Sequence, residues 1–149
     1  AAAGFKRRVK FDYYAVLDFE CTCDSDNTGF DHEIIEFPVV FLNTHTLEID
    51  FVFRRFVKPT ERPVLTEFCI NLTGITQEQV DAADSLDVVL QEFHDFIGEH
   101  NLVLTEAERS NDNPLFTIAT DGPWDITRFL KPECSRKALR IEKYWRRWC

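Results

Sequence analysis

The stretch Tyr13-Tyr14-Ala15-Val16-Leu17-Asp18-Phe19-Glu20 decides how this chain is read. Its first five residues form a short apolar run, read as a buried strand, and the run stops at an acid. Asp18 and Glu20 are two residues apart. On extended backbone side chains alternate with period two, so both carboxylates leave from one face. Two anions aimed the same way repel each other unless a cation stands between them, so Asp-x-Glu here is either solvated surface or part of a metal site. Further along, Leu115-Phe116-Thr117-Ile118-Ala119-Thr120 is another short buried strand, and it ends on Asp121. Three carboxylates can bind two Mg²⁺ or Mn²⁺ ions through oxygen ligands and water. Two such ions ~4 Å apart can activate a water and stabilise the leaving oxygen of a phosphodiester.

Between these strands the pattern predicts a second strand over Ile34 to Leu42, with Pro38 marking a bulge or irregular pairing. The turn Asn43-Thr44-His45-Thr46 leads to a third strand, Leu47 to Val57, antiparallel to the second and ended by Pro59 and Pro63. Thr76-Gln77-Glu78-Gln79 fits a capping box. From Ser85, a plausible N-cap, the spacing Leu86, Val89, Leu90, Phe93 and Ile97 is one face of a helix. Residues 105–113 are polar and predict a loop. Pro123 suits the first turn of a helix carrying Trp124, Ile126, Thr127 and Leu130. The order β-β-β-α-α-β-α predicts one α/β domain over 1–149, a mixed sheet with helices packed on it. Functional groups in such sheets gather at strand ends beside a switch in strand order, where Asp18 and Asp121 stand.

Composition narrows the class. Among 149 residues, 44% are hydrophobic and 14 are Phe, enough for a real core. No apolar stretch is long enough to span a bilayer, so no membrane partner is expected. Five cysteines at irregular spacing argue for free thiols and an intracellular setting, cytoplasm or nucleus. The net charge is −9 but unevenly spread. Residues 1–10 carry four cations and no acid, residues 128–149 carry eight cations and two acids, and the middle is strongly acidic. Basic ends around an acidic body suit metals held centrally and phosphates at the edges. A solvated acidic surface with basic helix faces explains the same charges.

Three segments together resemble a known family. Asp18-Phe19-Glu20-Cys21-Thr22-Cys23 resembles the first motif of the DnaQ-like DEDDh 3′→5′ exonucleases. Phe68-Cys69-Ile70-Asn71-Leu72-Thr73-Gly74-Ile75-Thr76 resembles their Leu-Thr-Gly-Ile segment, and Thr120-Asp121-Gly122-Pro123-Trp124-Asp125 their second motif. These forms are closest to the exoribonucleases that trim histone mRNA 3′ ends, mature 5.8S ribosomal RNA and degrade small interfering RNA. The resemblance implies an RNase H-like fold. It implies two Mg²⁺ or Mn²⁺ ions on Asp18, Glu20 and Asp121, and a single-stranded or 3′-overhang RNA substrate released as 5′-mononucleotides. It further implies that Phe68 and Leu72 hold the terminal base, that the backbone at Cys21 and Thr22 meets the terminal sugar, and that Trp124 sits beside the site. Read without the resemblance, Phe68 and Leu72 fit a plain core equally well, and Trp124 could pin its helix to the sheet. A DNA exonuclease of the same fold and an RNA-binding scaffold without catalysis are the rival functions.

The resemblance also implies a His general base and, five positions later, a fourth metal-ligating Asp. All four histidines here, His32, His45, His94 and His100, precede Asp121. The expectation is therefore a domain whose C-terminal part is missing, or a degenerate homologue. Arg136 to Cys149 reads as a basic helix bearing Leu139, Ile141, Tyr144, Trp145 and Trp148. A membrane-surface or calmodulin-target helix is the alternative from composition.

Overall fold

The computed structural model describes residues 10–110 and 112–149. In chain order the strands are β1 (Tyr13–Leu17), β2 (Glu20–Cys21), β3 (Ile34–Asn43), β4 (Ile49–Lys58), β5 (Asp84–Ser85) and β6 (Phe116–Ala119). The helices are α1 (Glu67–Thr73), α2 (Gln77–Asp81), α3 (Leu86–Glu99) and α4 (Lys131–Arg136), the last entered through a π-helical turn over Asp125–Leu130. The sheet order is β5-β4-β3-β1-β6, with β2 also on β3. Strands β1, β3 and β4 pair antiparallel, while β6 lies parallel to β1. The mixed sheet and the β3–β4 hairpin match the sequence expectation, with β1 and the start of β3 as expected and the other expected edges shifted by a residue or two. Among the described residues no helix is long and apolar enough to cross a membrane, and the five cysteines are unpaired.

One face of the sheet carries the main core. Phe37, Val39 and Phe41 alternate inward from the central strand β3 and are fully buried. Helix α3 lays Leu86, Val89, Phe93 and Ile97 against them, the helical stripe that the spacing predicts. Phe93 sits with its ring centroid 5.4 Å from both Phe37 and Trp145. A smaller cluster of Cys23, Ile35, Leu65, Cys69, Ile75 and Val80 seats α1 and α2. Thr76 and Gln79 form the expected capping box. Ser85 stands at the N-cap of α3 but its hydroxyl bonds Asp87 instead of the backbone.

Pro38 has a specific effect. Its pairing with Arg54 on β4 is regular, and the bulge of that hairpin lies between Phe41 and Leu42. On its other side β1 stops at Leu17 opposite Val39, and pairing resumes only at Glu20 opposite Glu36. Pro38 faces this gap and has no N–H to offer it. Asp18 and Phe19 are thus left out of the ladder.

The C-terminal segment corrects an expectation. Helix α4 ends at Arg136, and Ala138 takes a left-handed φ of 53° that breaks the turn. Lys143–Arg146 is a short 3-10 turn, and Trp148 bridges in parallel to Ile118 on the free edge of β6. Tyr144 and Trp145 are buried in the core. The apolar residues that mimic a helical stripe are drawn into the sheet and its core.

A buried ionic cluster ties the ends of the chain together. Lys137 Nζ lies 2.7 Å from Glu33 and 2.6 Å from Glu133, both carboxylates being sealed from solvent. Glu33 also accepts the backbone N–H groups of Thr60, Glu61 and Arg62, and Glu133 that of Ile34. Burial pushes the Glu33 carboxyl up, but those N–H groups and the Lys137 ammonium outweigh it and hold it below its ordinary value. A lowered carboxyl stabilises the fold above the unfolded pKa, and that stabilisation is lost as pH falls through the folded value. Lys137→Met, which strands two buried carboxylates, should cost ~3–5 kcal/mol in urea unfolding near neutral pH. The deficit should shrink on acidification. A variant as stable as the parent at neutral pH would show the cluster to be inert.

Candidate active site

The parallel register of β1 and β6 assembles the acids. Val16 pairs with Ala119, and the same offset carried two residues on brings Asp18 level with Asp121. Neighbouring strands lie ~4.8 Å apart, so the acids end adjacent strands at one edge. Asp18 is exposed, Phe19 buried, Glu20 half-buried and Cys21 buried. Asp18 and Glu20 therefore share a face, as their spacing predicts.

A fourth carboxylate joins them. Asp125 enters from the π-helical turn, is buried, and accepts the Phe19 N–H at 2.7 Å. Phe19 lies beyond the last β1–β6 pair, Val16 with Ala119, and the bond takes up a donor that β6 no longer meets. Burial pushes the Glu20 carboxyl up, and the charges of Asp18, Glu36 and Asp125 add to it. Burial likewise raises Asp125; the Phe19 N–H opposes this, while Asp18 and Asp121 add to it. The four acids thus act on each other, but they spread rather than converge. Among the described residues no three His, Cys, Asp or Glu side chains stand ready to hold a metal ion. What fits a metal is the donor set: mutually repelling carboxylate oxygens, the partners that hard divalent cations take.

A cavity of about 250 Å³ opens beside Glu20, lined also by Cys21, His32, Leu72, Arg128 and Phe129. Helix α1 forms one wall. Its N-cap hydroxyl, Thr66 Oγ1, accepts the Cys69 N–H and donates to the Cys23 carbonyl at 2.6 Å. Gly74, with φ 73°, closes the other end by donating to the Ile70 carbonyl. So anchored, α1 buries Cys69 and leaves Phe68 41% and Leu72 67% exposed. These two are not core. Trp124 is 59% exposed, so Ile126 and Leu130, not Trp124, pin the last helix. Thr22 is buried with its N–H, hydroxyl and carbonyl engaged by Glu33 and His32. Of the two backbone positions named from sequence, only Cys21 lines the cavity.

The histidines separate clearly. His45 pairs with Asp12 at the opposite end of β1, His94 stacks near Tyr144, and His100 lies against Phe51 and Phe96. His32 alone reaches the cavity. Its Nδ1 donates to the Thr22 carbonyl at 2.7 Å, and its Nε2 is buried with no partner among the described residues. Sequence reasoning passed over Asp125 and His32. The only signal for Asp125 was its place four residues after Asp121, one helical turn on; for His32 there was none.

Asp125→Ala should cost ~1–3 kcal/mol, the penalty for orphaning a buried donor, whereas Asp125→Asn, which keeps an acceptor, should cost clearly less in the same unfolding assay. Equal losses would mean that the bond to Phe19 does not matter. Burial and neighbouring charge raise the Glu20 and Asp125 carboxyls, so a divalent cation held beside them competes with protons. Mn²⁺ affinity, followed by calorimetry, should rise with pH across the interval just above the ordinary carboxylate range. A flat profile would exclude these two groups from the site.

Comparison with known proteins gives a consistent picture. The RNase T exonuclease family model matches residues 15–148. The 3′-5′ exoribonuclease 1 of Homo sapiens is 41% identical over 139 residues, 93% of this chain and 38% of that protein. ERI1 exoribonuclease 2 of Homo sapiens is 38% identical over 151 residues, 96% of this chain and 22% of that one. The chain therefore spans well under half the length of these relatives. The solved nuclease domain of 3′hExo, a DEDDh family member bound to rAMP, superposes with a TM-score of 0.81 at 41% identity, covering 93% of this chain and 66% of that one. A 3′-exonuclease in 3′-end specific recognition of the histone mRNA stem-loop gives 0.82 at 41% identity, over 93% of this chain and 46% of that one. The mixed sheet flanked by helices is the RNase H-like fold of these enzymes. By a family model that spans nearly all of it, the chain belongs to the RNase T exonucleases.

Proposed function

We propose that this chain carries the greater part of a 3′→5′ exoribonuclease site acting on single-stranded or 3′-overhang RNA and releasing 5′-mononucleotides. The observation that carries the proposal is the β1–β6 register, which sets Asp18 and Asp121 level at the ends of two parallel strands, with Glu20 on the face of Asp18 beside a cavity walled by Leu72. Asp18, Glu20 and Asp121 would hold Mg²⁺ or Mn²⁺, with Asp125 fixing the backbone between the first two. When bound, such ions supply a water made nucleophilic and charge stabilisation for the leaving oxygen. Phe68 and Leu72, adjacent on the exposed side of α1, offer an apolar face to an unpaired terminal base. Cys21 and Glu20 line the place where its sugar would lie, with Thr22 holding that backbone in position, and exposed Trp124 flanks the acids. The stem-loop recognition and the bound rAMP of the two solved relatives support an RNA 3′ end as the ligand.

Asp18→Asn should abolish tight Mn²⁺ binding in calorimetry; binding as tight as the parent's would remove Asp18 from the site. Phe68→Ala should weaken binding of single-stranded RNA roughly ten-fold or more, since stacking on an aromatic ring is worth ~1–3 kcal/mol, with little change in Tm because the ring is exposed. A large fall in Tm at unchanged affinity would assign Phe68 a structural role. His32 has one nitrogen bonded to Thr22 and the other buried, so none of the four histidines offers a free base at the acids. Hydrolysis of 3′-labelled RNA by the 149 residues should therefore run ~10²–10⁴ below that of a family member supplying a general base. Comparable rates would point to His32 as the base.

A further inference from the structure

A second feature lies away from the acids. A groove of about 680 Å³ runs along the starting end of β6, with Leu115, Phe116 and Thr117 in its wall. Lys10, Lys143, Arg146 and Arg147 surround it. All four are exposed, and none forms an ion pair among the described residues. The two acids on its rim are both engaged elsewhere. Glu108 accepts the Leu104 N–H, and Glu106 lies 3.5 Å from Arg109. The rings of Phe11 and Trp148 line the groove beside these cations, Lys10 sitting 5.1 Å above the Phe11 ring. In a chain of net charge −9 this is a local excess of free positive charge beside apolar, stackable surface. That combination matches a single-stranded nucleic acid, whose phosphates take the cations and whose bases take the rings.

We propose that this groove is a second nucleic-acid-binding surface, holding phosphates of the RNA upstream of the end that reaches Asp18 and Asp121. The proposal rests on the exoribonuclease reading above. Distance supports it. From Phe116 to Asp121 is five residues, at most ~17 Å at ~3.3 Å per residue, so a strand whose 3′ end lies at the acids passes the groove a few nucleotides upstream. The basic C-terminal turn thus grips the strand while the acids meet its end. Three of the four cations fall within Lys143 to Arg147, so one short turn presents them together.

The test compares RNA lengths. Anisotropy of a labelled trinucleotide and of a single-stranded RNA of about fifteen nucleotides would be measured on this chain and on the Lys143→Gln/Arg146→Gln/Arg147→Gln variant, at several salt concentrations with Mg²⁺ present. The parent should bind the longer RNA more tightly. In the variant the longer RNA should lose ten-fold or more in affinity, and its salt slope should fall by ~2, as expected for three phosphate contacts on a single strand. Trinucleotide binding and Tm should be unchanged, since these side chains are exposed. Lys10→Gln should give a smaller loss of the same kind. Equal affinity and salt slope for the longer RNA in parent and variant would overturn the groove while leaving the exoribonuclease reading intact. If neither RNA binds the parent, the exoribonuclease reading fails and the groove falls with it.

Discussion

The bond from the Phe19 N–H to Asp125, 2.7 Å long and buried, answers a difficulty that parallel strand ends create. With Asp18 and Asp121 level on adjacent strands, the charges of both bear on Asp125, and that of Asp18 on Glu20 as well. The ladders that would normally hold the backbone both stop there, since Pro38 stands opposite Asp18 without a donor and the pairing of β1 with β6 ends at Val16 and Ala119. The carboxylate of Asp125 fills the vacated hydrogen-bonding role. It adds a fourth negative charge in doing so, which is why burial and repulsion raise both its carboxyl and that of Glu20. A geometry so charged is one that a divalent cation relieves.

The rest of the structure supplies rigidity around this point. Helix α1 hangs from the strand that carries the acids, through the Thr66 hydroxyl on Cys23 and the Cys69 thiol directed at the Cys21 carbonyl 3.6 Å away. Its outer residues can therefore stay exposed without the helix drifting. On the other side, Glu133 on α4 takes the Ile34 N–H at the start of β3, and Lys137 joins Glu133 to Glu33. The turn bearing Asp125 is thus fastened at both ends, by its bond to Phe19 and by the ionic cluster one helix later.

What was legible in the sequence was local. Asp18 and Glu20 follow from period-two alternation, Asp121 from an apolar run that stops on an acid, and α3 from its stripe. The motif resemblance implied that Phe68 and Leu72 meet a base and so face outward, where composition alone left core and surface equally open. Asp125 was not legible, since its partner Phe19 lies 106 residues away and nothing local marks the pairing. The segment after Arg136 misled for the opposite reason. Leu139, Ile141, Tyr144, Trp145 and Trp148 do imitate one helix face. Burial of Tyr144 and Trp145 and the pairing of Trp148 with Ile118 are tertiary gains that outweigh local preference.

The same long separations set an order of events during synthesis. Chains are made at ~5–20 residues per second and fold from the N-terminus onward. Asp18, Glu20 and the β3–β4 hairpin emerge early. The residue that fixes the Phe19 backbone, Asp125, emerges far later, and the lysine that neutralises Glu33 stands 104 residues beyond it. Until both have left the ribosome, a nascent chain has its first two acids on an unsecured backbone, and Glu33 must stay in water or bind a proton. The half-made domain therefore depends on α4 and the lysine that caps it for a buried core free of uncompensated charge.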